Sequence, residues 1–324
     1  MVFCSKCGSE NKDTNNTCEK CGEFLLKDEF FVAKKEEKFE EIFTEKNFNA
    51  LNEITIEGYR TVLINIINQG ITNLNNYIRM NNINFENLSI LNKIAIITSA
   101  YVNINSKSIG STLGFYSCNR VRIDDRMYDS QQIATFIHEL SHHIFSEILE
   151  QLLMYVWECG KSDAIEAFAW FTLIRSKENR LANEFCAHTC EGRFIPYGYQ
   201  NYGSYSQILN NYFDQEREQD IIQYYTVLGN TIAKDIIFIL EKFINPNLRE
   251  EIKEQFKKDN LTVMINNQIL NENEKYFPEE DTINTIIKIL SEGFQEAKNK
   301  DMYATLENYK HEFADANTNY NSLH

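Results

Sequence analysis

Three of the chain's six histidines and a glutamate fall within six residues, HELSHH, 138 to 143. On a helix each residue advances about 100°, so with His138 at zero, His142 lies near 40° and Glu139 near 100°. This H-E-x-x-H spacing lets two imidazoles one turn apart bite a single Zn2+, while the carboxylate between them reaches a metal-bound water. The same pattern arises by chance on a solvated, histidine-rich helix face, so the surrounding residues must discriminate.

Those surroundings read as an amphipathic helix. Ile133, Ile137, Leu140, Ile144 and Ile148 fall within about 80° of one another on the far side, leaving the motif on the polar stripe. Asp129 and Gln132 have capping-box spacing, which predicts a helix from near Ser130 to about Trp157. His143, near 140° beside Gln132 and Glu150, reads as solvated. Immediately upstream, Arg120 to Asp124 alternates polar and apolar, the pattern of a short strand leading into the motif helix. Downstream, Asp163 with Glu166 suits the cap of a helix from Ala164 to about Ile174, and a further helix is expected from Lys177 to about Arg193.

A second constellation stands at the front. Cys4, Cys7, Cys18 and Cys21 form two C-x2-C pairs, each followed by glycine, and four thiolates complete a tetrahedral zinc shell. The stretch resembles short zinc ribbons, which implies one structural zinc and a docking module for a protein partner. Cys118, Cys159, Cys186 and Cys190 read as core residues.

At 324 residues and 43% hydrophobic, the chain can bury a sizeable core. Its formal charge of −15 argues against nucleic acid as a partner, since that affinity comes from Lys and Arg on phosphates. The apolar runs are too short and too charged to span a membrane, and the start lacks the pattern of a signal peptide. A cytoplasmic setting is therefore expected. Residues 27–57 read as a charged linker helix, a helical segment follows near 58–79, the apolar run 89–102 suits helix or strand with helix the preferred reading, and beyond the tyrosine-rich loop 196–205 come long helices, broken near Pro246 and restarted at Pro278.

Two histidines need at least one further protein ligand. On the Lys177 helix, with Glu184 at zero, His188 lies near 40° and Glu191 near 340°, whereas Glu178 lies near 120°. Glu184 and Glu178 cannot both face one metal.

Here His138-Glu139-Leu140-Ser141-His142 and Asn183-Glu184-Phe185-Cys186-Ala187 resemble the gluzincin metallopeptidases, most closely the anthrax lethal factor-like branch; residues 108 to 195 carry the likeness, and the strand-then-helix opening resembles minimal zincins. The resemblance implies that His138, His142 and Glu184 hold a catalytic zinc, that Glu139 is the general base, and that Val121 to Asp124 is an edge strand receiving a peptide by β-addition. Relatives commonly place a carboxylate one turn after the ligand glutamate, but this chain has His188, so Glu191 or another acid would have to orient a ligand imidazole. His188 is a candidate for stabilising the oxyanion, or for a plain hydrogen bond; Tyr197, Tyr199 and Tyr202 are alternative donors. A second likeness, of "ENRLAN" to repressor-cleaving metallopeptidases, would make Glu178 the ligand.

The expected fold is α+β, mostly α: a zinc ribbon (1–26), the linker helix (27–57), a zincin-like metallopeptidase domain (58–200) and a helical C-terminal region (201–324). The expected function is zinc-dependent hydrolysis of peptide bonds in a peptide or protein substrate, with one catalytic and one structural Zn2+. The competing readings are an inactive zincin fold serving as a binding module docked through its ribbon, and a regulatory protease that cleaves one partner such as a repressor.

Overall fold

The computed structural model describes residues 2–3, 10–11, 20, 38–106, 113–261 and 275–321. Cys4, Cys7, Cys18 and Cys21 lie outside these residues. Among them the chain is predominantly helical with a small sheet. In chain order the helices are α1 Phe39–Ile42, α2 Glu45–Ala50, α3 Ile56–Met80, α4 Ile90–Ser99, α5 Asp129–Trp157, α6 Asp163–Ile174, α7 Lys177–Phe194, α8 Gly203–Tyr212, α9 Gln219–Leu240, α10 Pro246–Asp259, α11 Glu279–Ala297 and α12 Tyr303–Asn321. The strands are β1 Val2–Phe3, β2 Glu10–Asn11, β3 Asn103–Ser106, β4 Gly114–Ser117 and β5 Arg120–Ile123.

Short polar side chains start the two helices after the motif helix. Ser162 and Ser176 accept the Ile165 and Asn179 N–H groups (3.3 and 3.1 Å), so Ser162 rather than Asp163 caps α6. The cap of α5 also sits one residue earlier than expected: Gln131 takes the Tyr128 N–H (3.3 Å), while Gln132 donates to the Met127 carbonyl (2.9 Å). That helix ends where Glu158 turns left-handed (φ 49°).

The strands β3, β5 and β4 form one sheet in that spatial order, β3 parallel and β4 antiparallel to β5. A two-residue turn joins β4 to β5, with both Cys118 and Asn119 at positive φ (45° and 57°), as a type I′ hairpin requires. The strand expected at the edge is therefore the middle one. Alternation along Arg120 to Asp124 reports which side chains face the core, but not whether one or two strands flank them. Among the described residues β3 and β4 are the two edges: β3 meets α12 through the Asn103 amide on the Ala316 carbonyl (2.5 Å), and β4 is the edge whose Gly114 lies against Glu139.

Helices α3, α4, α6, α7 and α10 all pack on α5, so the motif helix is encased. Its polar stripe is not a wet face: His138, His142, His143, Glu147 and Glu150 are all buried. On one side lies the histidine motif. Elsewhere on the helix Lys161 meets Glu150, Glu166 and Glu147 (3.0, 3.2 and 3.5 Å), and Glu166 also accepts from Asn119 and Asn317 (2.6 and 2.7 Å), joining α5, α6, α12 and the β4–β5 turn.

The boundaries expected at 57/58 and 200/201 fall within one core, while that at 26/27 lies outside the described residues. From residue 38 the supposed linker is short helices whose Phe39, Ile42 and Leu51 are buried with the rest, and Leu228, Ile232, Leu290, Phe294 and Phe313 of the C-terminal region join the same cluster. Helix α9 lies against α7 so closely that a Cβ on Gly229 would come within 2.5 Å of the Ala182 carbonyl. Cys118, Cys186 and Cys190 are buried free thiols and Cys159 is half-buried. No described helix is long and apolar enough to cross a membrane.

Candidate metal centre

Helices α5 and α7 bring His138, His142 and Glu184 to one point. The two imidazole Nε2 atoms are 3.2 Å apart, Glu184 Oε2 is 3.6 Å from His138 Nε2, and Glu184 Oε1 is 3.7 Å from His142 Nε2. Tetrahedral zinc with bonds of about 2.0–2.2 Å sets its ligand atoms about 3.3–3.6 Å apart, so the donors already stand near the spacing such an ion needs. Glu178 is not among the groups that converge there.

The far nitrogens fix the tautomers. His142 Nδ1 lies 2.9 Å from Asn183 Oδ1, and His138 Nδ1 lies 3.2 Å from Glu191 Oε2. A carbonyl and a carboxylate only accept, so both Nδ1 atoms carry the proton and both Nε2 atoms turn toward the shared point. Glu191 thus takes the role expected of a carboxylate one turn after Glu184. His138, Glu191 and His188 also converge, but Glu191 approaches the nitrogen turned away from the first point, which makes this group a clamp on His138.

Charge agrees with geometry. Burial pulls His142 down to about 4. For His138 the same burial is outweighed by hydrogen bonds to Glu184 and Glu191, which hold it well above its ordinary value. Burial acts against ionised Glu184 too, yet the facing histidines keep it well below the usual carboxylate range. The site demands one positive charge between the two Nε2 atoms; without a metal, a proton meets that demand, and metal would displace it.

Glu139 lies beside this point and beside β4. Burial first, then the charges of Glu184 and Glu191, raise its carboxyl to about 7 against the opposing pull of His138 and of the Tyr116 backbone in β4. A Cβ on Gly114 would stand 2.8 Å from Glu139 Oε1, so only glycine lets the edge strand come this close.

His188 is buried under the ligand set and does not sit as an oxyanion donor. Its Nε2 is 2.7 Å from Ser204 Oγ, its ring packs on Tyr202 (centroids 5.1 Å apart), and its Nδ1 lies 3.4 Å from Glu191 Oε2 without the alignment of a hydrogen bond. The loop tyrosines take other places: Tyr202 is buried, Tyr199 donates to the Leu261 carbonyl (3.4 Å), and Tyr197 is 71% exposed. His143, expected in solvent, is buried with Nδ1 3.2 Å from the Tyr116 hydroxyl. Two contributors carried no sequence signal. Ser204 belongs to no motif and lies twenty positions from Glu184, and Gly114 matters only through the approach of β4.

Compared with models of known protein families, with curated proteins and with solved structures, the chain matches none.

Proposed function

We propose that the chain is a zinc-dependent peptidase of the gluzincin kind. The observation that carries this reading is the convergence of two Nδ1-protonated imidazoles and Glu184 on one point, with the Glu139 carboxyl raised to about 7 beside it. His138, His142 and Glu184 would hold the ion, and Glu191 and Asn183 orient the two imidazoles.

Bound there, zinc supplies Lewis acidity, acidifying a water and polarising a carbonyl. Glu139 accepts the proton at its carboxylate and returns it to the leaving amine. It sits against β4, where Gly114 leaves room for its Oε1, and β4 is the edge along which an extended peptide would add. A second, structural zinc in Cys4, Cys7, Cys18 and Cys21 follows from the sequence spacing, and the docking of a protein partner there from the resemblance to zinc ribbons.

Glu139→Gln keeps the shape and removes the base. We expect that variant to retain wild-type zinc and fold, and to lose hydrolysis of a peptide library that the wild type cleaves. Peptide binding with equal affinity by both, with cleavage by neither, would replace the enzyme with a binding module.

A further inference from the structure

Between His188 and Glu184 stands one hydroxyl. Ser204 Oγ is 2.5 Å from Glu184 Oε2 and 2.7 Å from His188 Nε2. A carboxylate can only accept, so the single hydroxyl proton goes to Glu184. His188 must then donate Nε2–H to the serine oxygen, which leaves its Nδ1 without a proton when neutral. That is how Nδ1 is found: buried, with no hydrogen-bond partner. The chain of donation runs one way, from His188 through Ser204 to the carboxylate.

Resting on the reading that His138, His142 and Glu184 hold zinc, we infer that Ser204 and His188 form a relay that positions Glu184 as the third ligand. Glu184 needs such help. Its two oxygens face different histidines, Oε2 toward His138 and Oε1 toward His142, and a glutamate with three rotatable bonds would otherwise spread over several rotamers. The relay selects the rotamer by holding Oε2. Ser204 is itself held, since α8 is pinned by the Tyr205 hydroxyl on Thr226 Oγ1 (3.0 Å) and by the Tyr205 ring against Phe185 (5.1 Å between centroids). His188 is fixed between the rings of Tyr202 and His138, the latter 4.4 Å away between centroids. Both are therefore positioning residues: they act on the metal through Glu184 and touch neither substrate nor ion. The histidine that replaces the usual carboxylate one turn after the ligand thus serves the ligand glutamate, and Glu191 serves His138.

The test is the affinity for Zn2+, measured on the full chain by competition with a chromogenic chelator and counted as the ion that His142→Ala loses. Ser204→Ala and His188→Leu should each weaken that ion on the order of 10- to 100-fold, the range seen when a group orienting a metal ligand is removed. Ser204→Thr and His188→Gln, which keep a donor at each step, should restore most of it. Because both residues act through one chain, Ser204→Ala combined with His188→Leu should cost little more than either alone. Cobalt in place of zinc gives an independent readout: its visible bands at this thiolate-free site should change in Ser204→Ala and return in Ser204→Thr. Wild type that binds the ion, with Ser204→Ala binding it equally well and with unchanged cobalt bands, overturns the relay and leaves the metal centre standing. Wild type that binds no ion sensitive to His142→Ala overturns both.

Discussion

His142 Nε2 faces His138 Nε2 across 3.2 Å, and the Nδ1 atom of each ring already donates elsewhere, to Asn183 and to Glu191. Only one proton fits between them. A buried pair arranged in this way, with Glu184 closing the third side, is stable either with a shared proton or with a cation in its place, and the three donors stand near the spacing a tetrahedral cation needs.

Glu184→Ala should lose the ion at this centre, whereas Glu178→Ala should keep it, because of these two carboxylates Glu184 alone is grouped with His138 and His142. Elemental analysis of the purified variants, with His142→Ala as reference, gives the answer. Zinc lost from Glu178→Ala and kept by Glu184→Ala would move the third ligand to the start of α7.

Gly114→Ala should damage hydrolysis while sparing metal. The new methyl would meet Glu139 Oε1 at 2.8 Å and crowd Thr135, displacing the base without touching a ligand. A fall in kcat/KM on the order of 100-fold is expected from a displacement of about 1 Å. Zinc content should be unchanged.

Lys161→Met should destabilise the fold by removing the cation shared by Glu147, Glu150 and Glu166. Breaking a buried ion pair costs about 3–5 kcal/mol, and a lysine side chain 26% exposed places this one at the lower end of that range. Urea denaturation measures it. The simultaneous change of Lys161→Met and Glu150→Gln should recover part of the loss, since Glu150 is the lysine's nearest carboxylate.

His143 should make the protein sensitive to acid. Burial lowers its folded value to about 4 from an ordinary 6.5, with Glu147 opposing and Lys161 assisting the shift. Between those two values the unfolded chain binds a proton that the folded chain refuses, so stability falls as pH drops from 6.5 toward 4, by up to about 1.4 kcal/mol per pH unit. His143→Asn should flatten the stability profile in that window, as followed by urea midpoints at several pH values. An unaltered slope would mean that His143 does not titrate there.

Helical periodicity placed much of this site in view. It put His138, His142 and Glu139 on one face of α5, put Glu184, His188 and Glu191 together on α7, and set Glu178 apart, because those relations are local and repeat every 3.6 residues. Periodicity names the sides of a helix but not what covers them. The polar stripe of α5 therefore read as wet, and His143 as solvated, until α3, α4, α6, α7 and α10 were seen to enclose it. The edge strand went to β5 rather than β4 because strand order depends on β3, paired along the other side of β5. Ser204 was invisible for a similar reason: only the return of α8 onto α7 brings its hydroxyl to Glu184.

The most direct test of the metal centre is a crystal structure of the zinc-loaded chain with anomalous data collected on both sides of the zinc absorption edge. A zinc peak is expected within about 2.0–2.2 Å of His138 Nε2, His142 Nε2 and a Glu184 oxygen. A zinc-loaded crystal with no peak among those three residues, or with the peak on Glu178 instead of Glu184, would contradict that expectation.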